Sequence, residues 1–418
     1  MTTPKITNIR YKIARCGECD EVVSITYPLP KDEHAQCPRC HHILATTQRW
    51  SLHRCAMIAL SLLILMPFAL GFPLLSLDLL GVRVDASVWE GIWKMATAGY
   101  QYTAFLVFVC AILMPISFAI LVLMLWFSKL LGIRPRNVLL FLGYIKPWVM
   151  FDVYLVALGV SMFKVREYAA LEINTYLLAF VFTALLTTLL FIKINVNELW
   201  DEFYPEHKQP REIDDGIELC TACNYSFPHS EIKHSHGHSN CPRCDSRLDI
   251  PESIKLQRTW ALLIAGIIML FPANLLPISG VYLTGALSED TLMSGVISFI
   301  AMKSYFVAFV VFFASIFVPI SKIFIMLYLL ASVHFKWQHS IKWQMRLLHI
   351  VHFVGRWSML DLFVLALMMS LVTRGQIINF TVGPAAFYFG AAVFLTMMST
   401  SQFDSRLIWK IYDRKTTK

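Results

Sequence analysis

Eight of the ten cysteines stand in four Cys-x-x-Cys pairs, and the pairs form two sets of identical spacing, C-x2-C-x17-C-x2-C. The first set is Cys16, Cys19, Cys37 and Cys40; the second is Cys220, Cys223, Cys241 and Cys244. A tight knuckle aims two thiolates at one ion, and two knuckles close a tetrahedral shell with no open position for a reaction. The expected chemistry is structural: one Zn2+ per set, stapling a small ribbon fold. Iron fits the same four sulfurs, and a redox sensor would use the same thiols. His229, His234, His236 and His238 crowd the second set, but four cysteines already complete a shell, so no further metal site is expected there. Cys55 and Cys110 fall in apolar runs and read as small buried side chains.

A second constellation lies in apolar surroundings. Asp152 and Asp361 occupy matching positions near the starts of two apolar runs, and Lys322 follows Pro319 and Ser321 inside a third. An ionisable group in lipid is costly and by default marks a functional pathway with a partner. Lys322 and Asp361 are the expected pair, with Ser358 on the Asp361 face at i−3. The plainer reading is a static ion pair pinning two helices. Phe118 stands where the second half has Lys322, and Val149 where it has Ser358, so two aspartates share one lysine. Helix-breaking residues recur at equivalent places: Pro67 and Pro73, Pro272 and Pro277, Pro115 and Pro319, with the polar Asn274 beside them. Matched breaks in two halves point to a transporter's substrate path, although proline alone also kinks a packing helix.

The elements that must carry these residues are membrane helices. The chain has 418 residues, 57% hydrophobic and 15% charged, with a mean hydropathy of +0.58, so lipid is the main solvent. Apolar runs at 55–77, 104–127, 148–163, 176–194, 260–284, 305–331, 357–372 and 384–400 give about eight spans. The loops 128–147 and 332–356 carry Lys and Arg without acids and read as cytoplasmic; 78–103 and 285–304 carry acids and face the other side. Both termini and both cysteine sets then fall in the cytoplasm, where thiols stay reduced. The net charge of +8 sits in these short loops and does not imply nucleic acid.

The cysteine sets are displaced by about 204 positions, and the register continues into the membrane as Pro67 to Pro272, Gly91 to Gly295 and Pro115 to Pro319. The fold expected is an all-α polytopic membrane protein of two parallel tandem repeats. Its domains are a zinc ribbon at 1–50, a first membrane domain at 51–200, a linker and second zinc ribbon at 201–254, and a second membrane domain with a tail at 255–418. No Walker A motif, Ser/His/Asp order or H-E-x-x-H is present, so no enzyme is expected.

The Cys-Pro-Arg-Cys knuckles and the segments FPANLLPIS, GRWSMLDLFV and GPAAFYFGAA resemble the paraquat-inducible protein A family over nearly the whole chain, most closely its lipophilic envelope-spanning tunnel branch. The resemblance implies a Gram-negative inner-membrane protein that works with an MCE-domain periplasmic tunnel protein and moves phospholipid or other lipophiles. It also implies a transport cluster at Ser315, Ser321, Lys322, Ser358, Asp361 and Thr396, with Asp152 from the first half. The alternative is a passive anchor that seats the tunnel partner without a transport cycle.

Overall fold

A computed structural model describes residues 10–27, 29, 33–46, 50–79, 82–166, 170–206, 216–235, 237–249, 251–283, 286–301, 303–337, 340–372 and 378–416. His236 lies outside the described residues. The chain opens with two antiparallel hairpins, β1 (Arg10–Arg15) with β2 (Val22–Tyr27) and β3 (His34–Gln36) with β4 (Ile43–Thr46), a cysteine knuckle at each turn. The first membrane half follows as α1 (Leu52–Gly71), β5 (Leu75–Leu79), β6 (Val82–Ala86), α2 (Val88–Thr97), α3 (Gln101–Phe108) and α4 (Met114–Leu130). It continues through α5 (Arg136–Ile145), α6 (Phe151–Arg166), β7 (Ala170–Ile173), α7 (Tyr176–Lys193) and α8 (Val196–Phe203).

The same order then recurs. A second ribbon holds β8 (Ile217–Leu219), β9 (Ser226–Pro228), β10 (Lys233–Ser235) and β11 (His238–Asn240). After it come α9 (Glu252–Leu275), β12 (Ser279–Leu283), β13 (Ala286–Asp290), α10 (Leu292–Ala301), α11 (Tyr305–Phe312) and α12 (Val318–His334). The chain closes with α13 (Ile341–Gly355), α14 (Leu360–Val372), β14 (Ile378–Val382), α15 (Ala385–Gln402) and α16 (Arg406–Thr416).

The protein is mostly helical, and seven of its described helical segments are long and apolar enough to cross a membrane. The expected eighth, α15, has the length but ends in Thr396, Ser399, Thr400, Ser401 and Gln402, which lower its apolarity. The hydroxyls of Thr396, Ser399 and Thr400 are buried inside the protein: α15 packs along α9, and Ser399 Oγ donates to the Thr259 carbonyl at 3.1 Å. Large apolar side chains such as Ile268, Phe271, Phe306 and Phe324 stay exposed on the outside, as a lipid-facing surface requires.

The all-α expectation misses two three-stranded antiparallel sheets, β6-β5-β7 and β13-β12-β14. The runs read as spans 55–77 and 260–284 end earlier, at Gly71 and Leu275, and continue into β5 and β12. Pro73 and Pro277 stand in those transitions, where the missing N–H and fixed φ favour extended chain over helix. The loops 128–147 and 332–356 in turn contain the amphipathic helices α5 and α13. Their buried residues recur at helical spacing: Leu139, Leu142 and Ile145, and Ile341, Met345, Leu348 and Val351.

Among the described residues, three hydrophobic cores hold these parts. The central core joins both membrane halves around α14, whose residues from Leu360 to Met369 are almost all buried. The outlying cores cross over. Cys16, Cys19 and Cys37 pack with Met345, Leu348 and Trp409 of the second half, whereas Cys220, Cys223, Cys241 and Cys244 pack with Leu139, Leu142 and Trp200 of the first. Each outlying core thus combines one ribbon with one membrane half, and the N-terminal ribbon docks on the C-terminal half.

Candidate metal centres and a buried polar cluster

All four knuckles share one backbone pattern. The N–H of the first cysteine donates to the carbonyl five residues on, for example Cys16 to Glu21 at 2.8 Å and Cys220 to Tyr225 at 3.0 Å. The residue after the second cysteine donates back to the first: Asp20 to Cys16, His41 to Cys37, Asn224 to Cys220 and Asp245 to Cys241, all at 2.9–3.0 Å. Those four residues have φ between 52° and 64°. Asp, Asn and His tolerate this left-handed turn better than most side chains, so the residue types fit the knuckle.

Within each set the four sulfurs lie within 4.8 Å of one another. Measured pairs are 3.5 Å for Cys16–Cys40 and Cys19–Cys37, 3.5 Å for Cys220–Cys244 and 3.8 Å for Cys223–Cys241. A tetrahedral ion with metal–sulfur bonds of about 2.3 Å holds its sulfurs about 3.8 Å apart, so both sets fit such an ion. The thiols already share their protons unequally. A hydrogen bond from Cys19 holds Cys16 down at about 5, and hydrogen bonds from Cys223, Cys241 and Cys244 push Cys220 well below a free thiol. The clusters differ in cover: all four cysteines of the second are buried, but Cys40 of the first is partly exposed.

The arginine of each Cys-Pro-Arg-Cys knuckle clamps its ribbon to a tryptophan. Arg39 stacks over Trp409 of α16 at 4.5 Å and pairs with Asp413; Arg243 stacks over Trp200 of α8 at 5.5 Å and pairs with Asp201 at 2.9 Å. Arg243 is 2% exposed and Arg39 24%, so the second clamp is far better shielded from water. The two ribbons also touch, through Arg15 N–H donating to Ser226 Oγ at 2.9 Å.

In the membrane, the prolines act at three distinct places. Pro67 and Pro272 lie inside α1 and α9. Pro115 and Pro319 each follow a five-residue π-helical turn, Val109–Leu113 and Phe313–Phe317, closed by the N–H of Met114 on the Val109 carbonyl and of Val318 on the Phe313 carbonyl. The wider turn takes up a proline whose ring would clash with an α-helical carbonyl and leaves each helix unbroken. Asn274 turns its amide onto its own helix, donating to the Leu270 carbonyl at 2.9 Å.

The expected polar residues gather where the second π turn meets the 3-10 turn Arg356–Met359 between α13 and α14. Ser315, Lys322, Ser358, Asp361 and Thr396 are all buried, and Lys322 Nζ, Ser315 Oγ and Ser358 Oγ have no hydrogen-bond partner among the described residues. Thr396 Oγ1 donates to the Val393 carbonyl, Ser321 is half-buried one residue before Lys322, and Asp152 sits half-buried in the first turn of α6.

Lys322 and Asp361 are not in contact as a pair. A Cβ on Gly355 would lie 3.4 Å from Lys322 Nζ, which places the ammonium beside the start of the 3-10 turn. Asp361 lies six residues further along, about 9 Å at helical rise. The two open in opposite directions. Asp361 lines a slot of about 80 Å³ that reaches Ser279, Asp290 and Thr291 at the sheet end. Lys322 lines a cleft of about 390 Å³ at the ribbon end, between the halves. Lys146 and Arg356 line the same cleft. In the sequence both belong to basic loops whose charge indicates orientation, and Lys146 is also within reach as a partner for Asp152.

A polytopic helical membrane protein with two ribbons built to bind metal and a polar cluster buried between its halves is the class these features define. The family model for paraquat-inducible protein A matches the chain twice, at residues 52–204 and 256–413, and the chain belongs to that family. It is 71% identical over 416 residues to a probable intermembrane transport protein of Haemophilus influenzae, covering 99% of this chain and all of the relative. It is 44% identical over 400 residues to lipophilic envelope-spanning tunnel protein A of Escherichia coli, covering 96% and 91%, and 30% identical over 407 residues to intermembrane transport protein PqiA of the same organism, covering 94% of each. No solved structure matches.

Proposed function

We propose that this chain is the inner-membrane component of an intermembrane lipid transport system, passing phospholipid or other lipophiles between the inner membrane and a periplasmic tunnel built by an MCE-domain partner. Its termini and both ribbons are cytoplasmic on this reading, each ribbon holding one structural Zn2+ through its four cysteines. The observation that carries the proposal is the buried cluster reached from two opposite ends: Asp361 from the sheet end, Lys322 from the ribbon end, and Ser358 between them in sequence. Burying an ammonium without a hydrogen-bond partner costs several kcal/mol, roughly, and a static scaffold has no use for it. A transporter does, because the charge changes partner between states. The names of the relatives, two of them intermembrane transport proteins, support the same reading.

Single replacement Lys322→Met or Asp361→Asn tests it in a strain whose envelope barrier depends on the protein. Loss of complementation at normal protein level is the expected outcome. Full complementation by both variants would favour a passive anchor for the tunnel partner.

A further inference from the structure

The cleft at the ribbon end holds a charge pattern the transport reading does not explain. It is lined by Lys146, Lys322, His352 and Arg356, and none of its lining residues is acidic. Lys146 and Arg356 come from opposite halves and share one aromatic ring, lying 4.9 and 5.3 Å from the centre of Phe191. Lys146 also donates to the Ile194 carbonyl at 2.7 Å. Lys322, 2% exposed, has no hydrogen-bond partner for its Nζ among the described residues. Three cations of like sign, partly desolvated and with no carboxylate among them, repel one another unless an anion sits in the space they surround.

The depth of the cleft narrows the choice of anion. Its lining includes Phe191 of α7, which ends at Lys193, and Met397, Thr400 and Ser401 of α15, which ends at Gln402. The cations therefore sit where apolar helices emerge from lipid, which is headgroup depth, while Phe191, Val351, Phe353 and Met397 supply apolar wall beside them. Guanidinium and ammonium groups recognise phosphate oxygens by charge-assisted hydrogen bonds.

Building on the transport reading, we infer that this inter-half cleft binds the phosphate of a glycerophospholipid from the leaflet on the ribbon side, with Arg356, Lys322 and Lys146 contacting the phosphate and the apolar wall contacting the first carbons of the chains. A free phosphate offers the same oxygens without the chains. The cleft is distinct from the Asp361 slot, and it sits between the halves, so its occupant touches both.

Native mass spectrometry of the full-length purified protein tests this, with phosphatidylglycerol, phosphatidylethanolamine, a diacylglycerol of the same chains, and inorganic phosphate as probes. Both phospholipids should be retained at least about tenfold more than the diacylglycerol, and Arg356→Gln should cut their occupancy about tenfold while Arg356→Lys keeps most of it. Equal retention of diacylglycerol, or phospholipid retention unchanged in Arg356→Gln, overturns the inference. Complete displacement of phospholipid by inorganic phosphate overturns the lipid source and leaves a free-anion site. If Arg356→Gln does not fold, Lys146→Gln at the half-buried rim carries the same comparison, with melting temperature and metal content as folding controls. Binding is read on the isolated chain and transport by complementation. Arg356-dependent binding with full complementation by Lys322→Met and Asp361→Asn therefore ends the transport reading alone, and Arg356-independent binding ends the site alone.

Discussion

Helices α2 and α10 occupy the same place in the two halves and do opposite things. In the first half α2 presses against α14: a Cβ on Gly91 would come within 2.4 Å of the Ala366 carbonyl oxygen. Lys94 Nζ donates to the Ser370 carbonyl at 3.0 Å and Ser370 Oγ to the Ser87 carbonyl at 3.1 Å. In the second half a Cβ on Gly295, the counterpart of Gly91, would meet nothing within 4 Å among the described residues, and Gly295 lines the slot that leads to Asp361. Neither does α10 make more than slight contact with α6, the counterpart of α14. One half closes on the other with backbone against backbone, while the second keeps a passage where the same contact would lie. Two halves with the same order of elements thus give one static seam and one open one, and Asp290 and Asp361 of the second half line the open side.

Breaking the static seam should have the largest effect. Gly91→Val places a side chain against a backbone carbonyl that cannot yield, and a loss of about 3 kcal/mol or more is expected. Gly295→Val should fold normally. Thermal unfolding of both variants in one detergent makes the comparison, and equal melting temperatures would show that the seams are alike.

An intermediate effect is expected at the ribbon clamps. Arg243 is buried between Trp200 and Tyr225 and paired with Asp201, so Arg243→Ala should cost about 2 kcal/mol. Arg39→Ala removes a more exposed pair and should cost about 1 kcal/mol or less. Limited proteolysis should release the second ribbon in the first variant and leave the first ribbon largely docked in the other.

The smallest difference is a response to acid. Asn195 and Asp404 hold matching positions before α8 and α16, each accepting a backbone N–H two residues on. Burial alone would raise the Asp404 carboxyl, but Arg406 and Lys255 outweigh it and hold the carboxyl below its ordinary range. A depressed value stabilises the fold above the unfolded carboxyl pKa of about 4, and that contribution disappears as pH falls through the folded value. Below about pH 4, α16 and the ribbon docked on it should therefore loosen before α8 does, and Asp404→Asn should remove the acid dependence. Hydrogen exchange of peptides 404–416 and 195–206, corrected for intrinsic rate, reads the difference.

How much of this was legible in the sequence varied with the physical signal. The ribbons were the clearest case, because four thiolates around one ion require a spacing, and the spacing occurs twice. Even the left-handed turn after each knuckle was foreshadowed by Asp20, His41, Asn224 and Asp245. The sheets are hidden because "PLLSL" after Phe72 is about as apolar as the helix before it, and apolarity over a few residues does not separate strand from helix. The expected Lys322–Asp361 pair fails because the basic run 341–355 reads as loop in the sequence and is helix α13. Once it is a helix ending at Gly355, Lys322 lies at the helix break rather than level with Asp361. Arg356 is inconspicuous in the sequence because a charge at a membrane boundary has an ordinary explanation, and the cleft and the Phe191 ring show that it faces the other half.

The crossed docking of the ribbons has a consequence in time. Arg39 is made early, but its partner Asp413 lies 374 residues further along the chain. At about 5–20 residues per second of synthesis, the first ribbon waits roughly 20–75 s for its seat to exist, whereas the second emerges onto helices already made. Until α16 leaves the ribosome the first ribbon is without its dock, so its seating reports that α16 has been made, and a protein truncated before α16 should present a loose cysteine ribbon to the proteases that patrol the membrane surface.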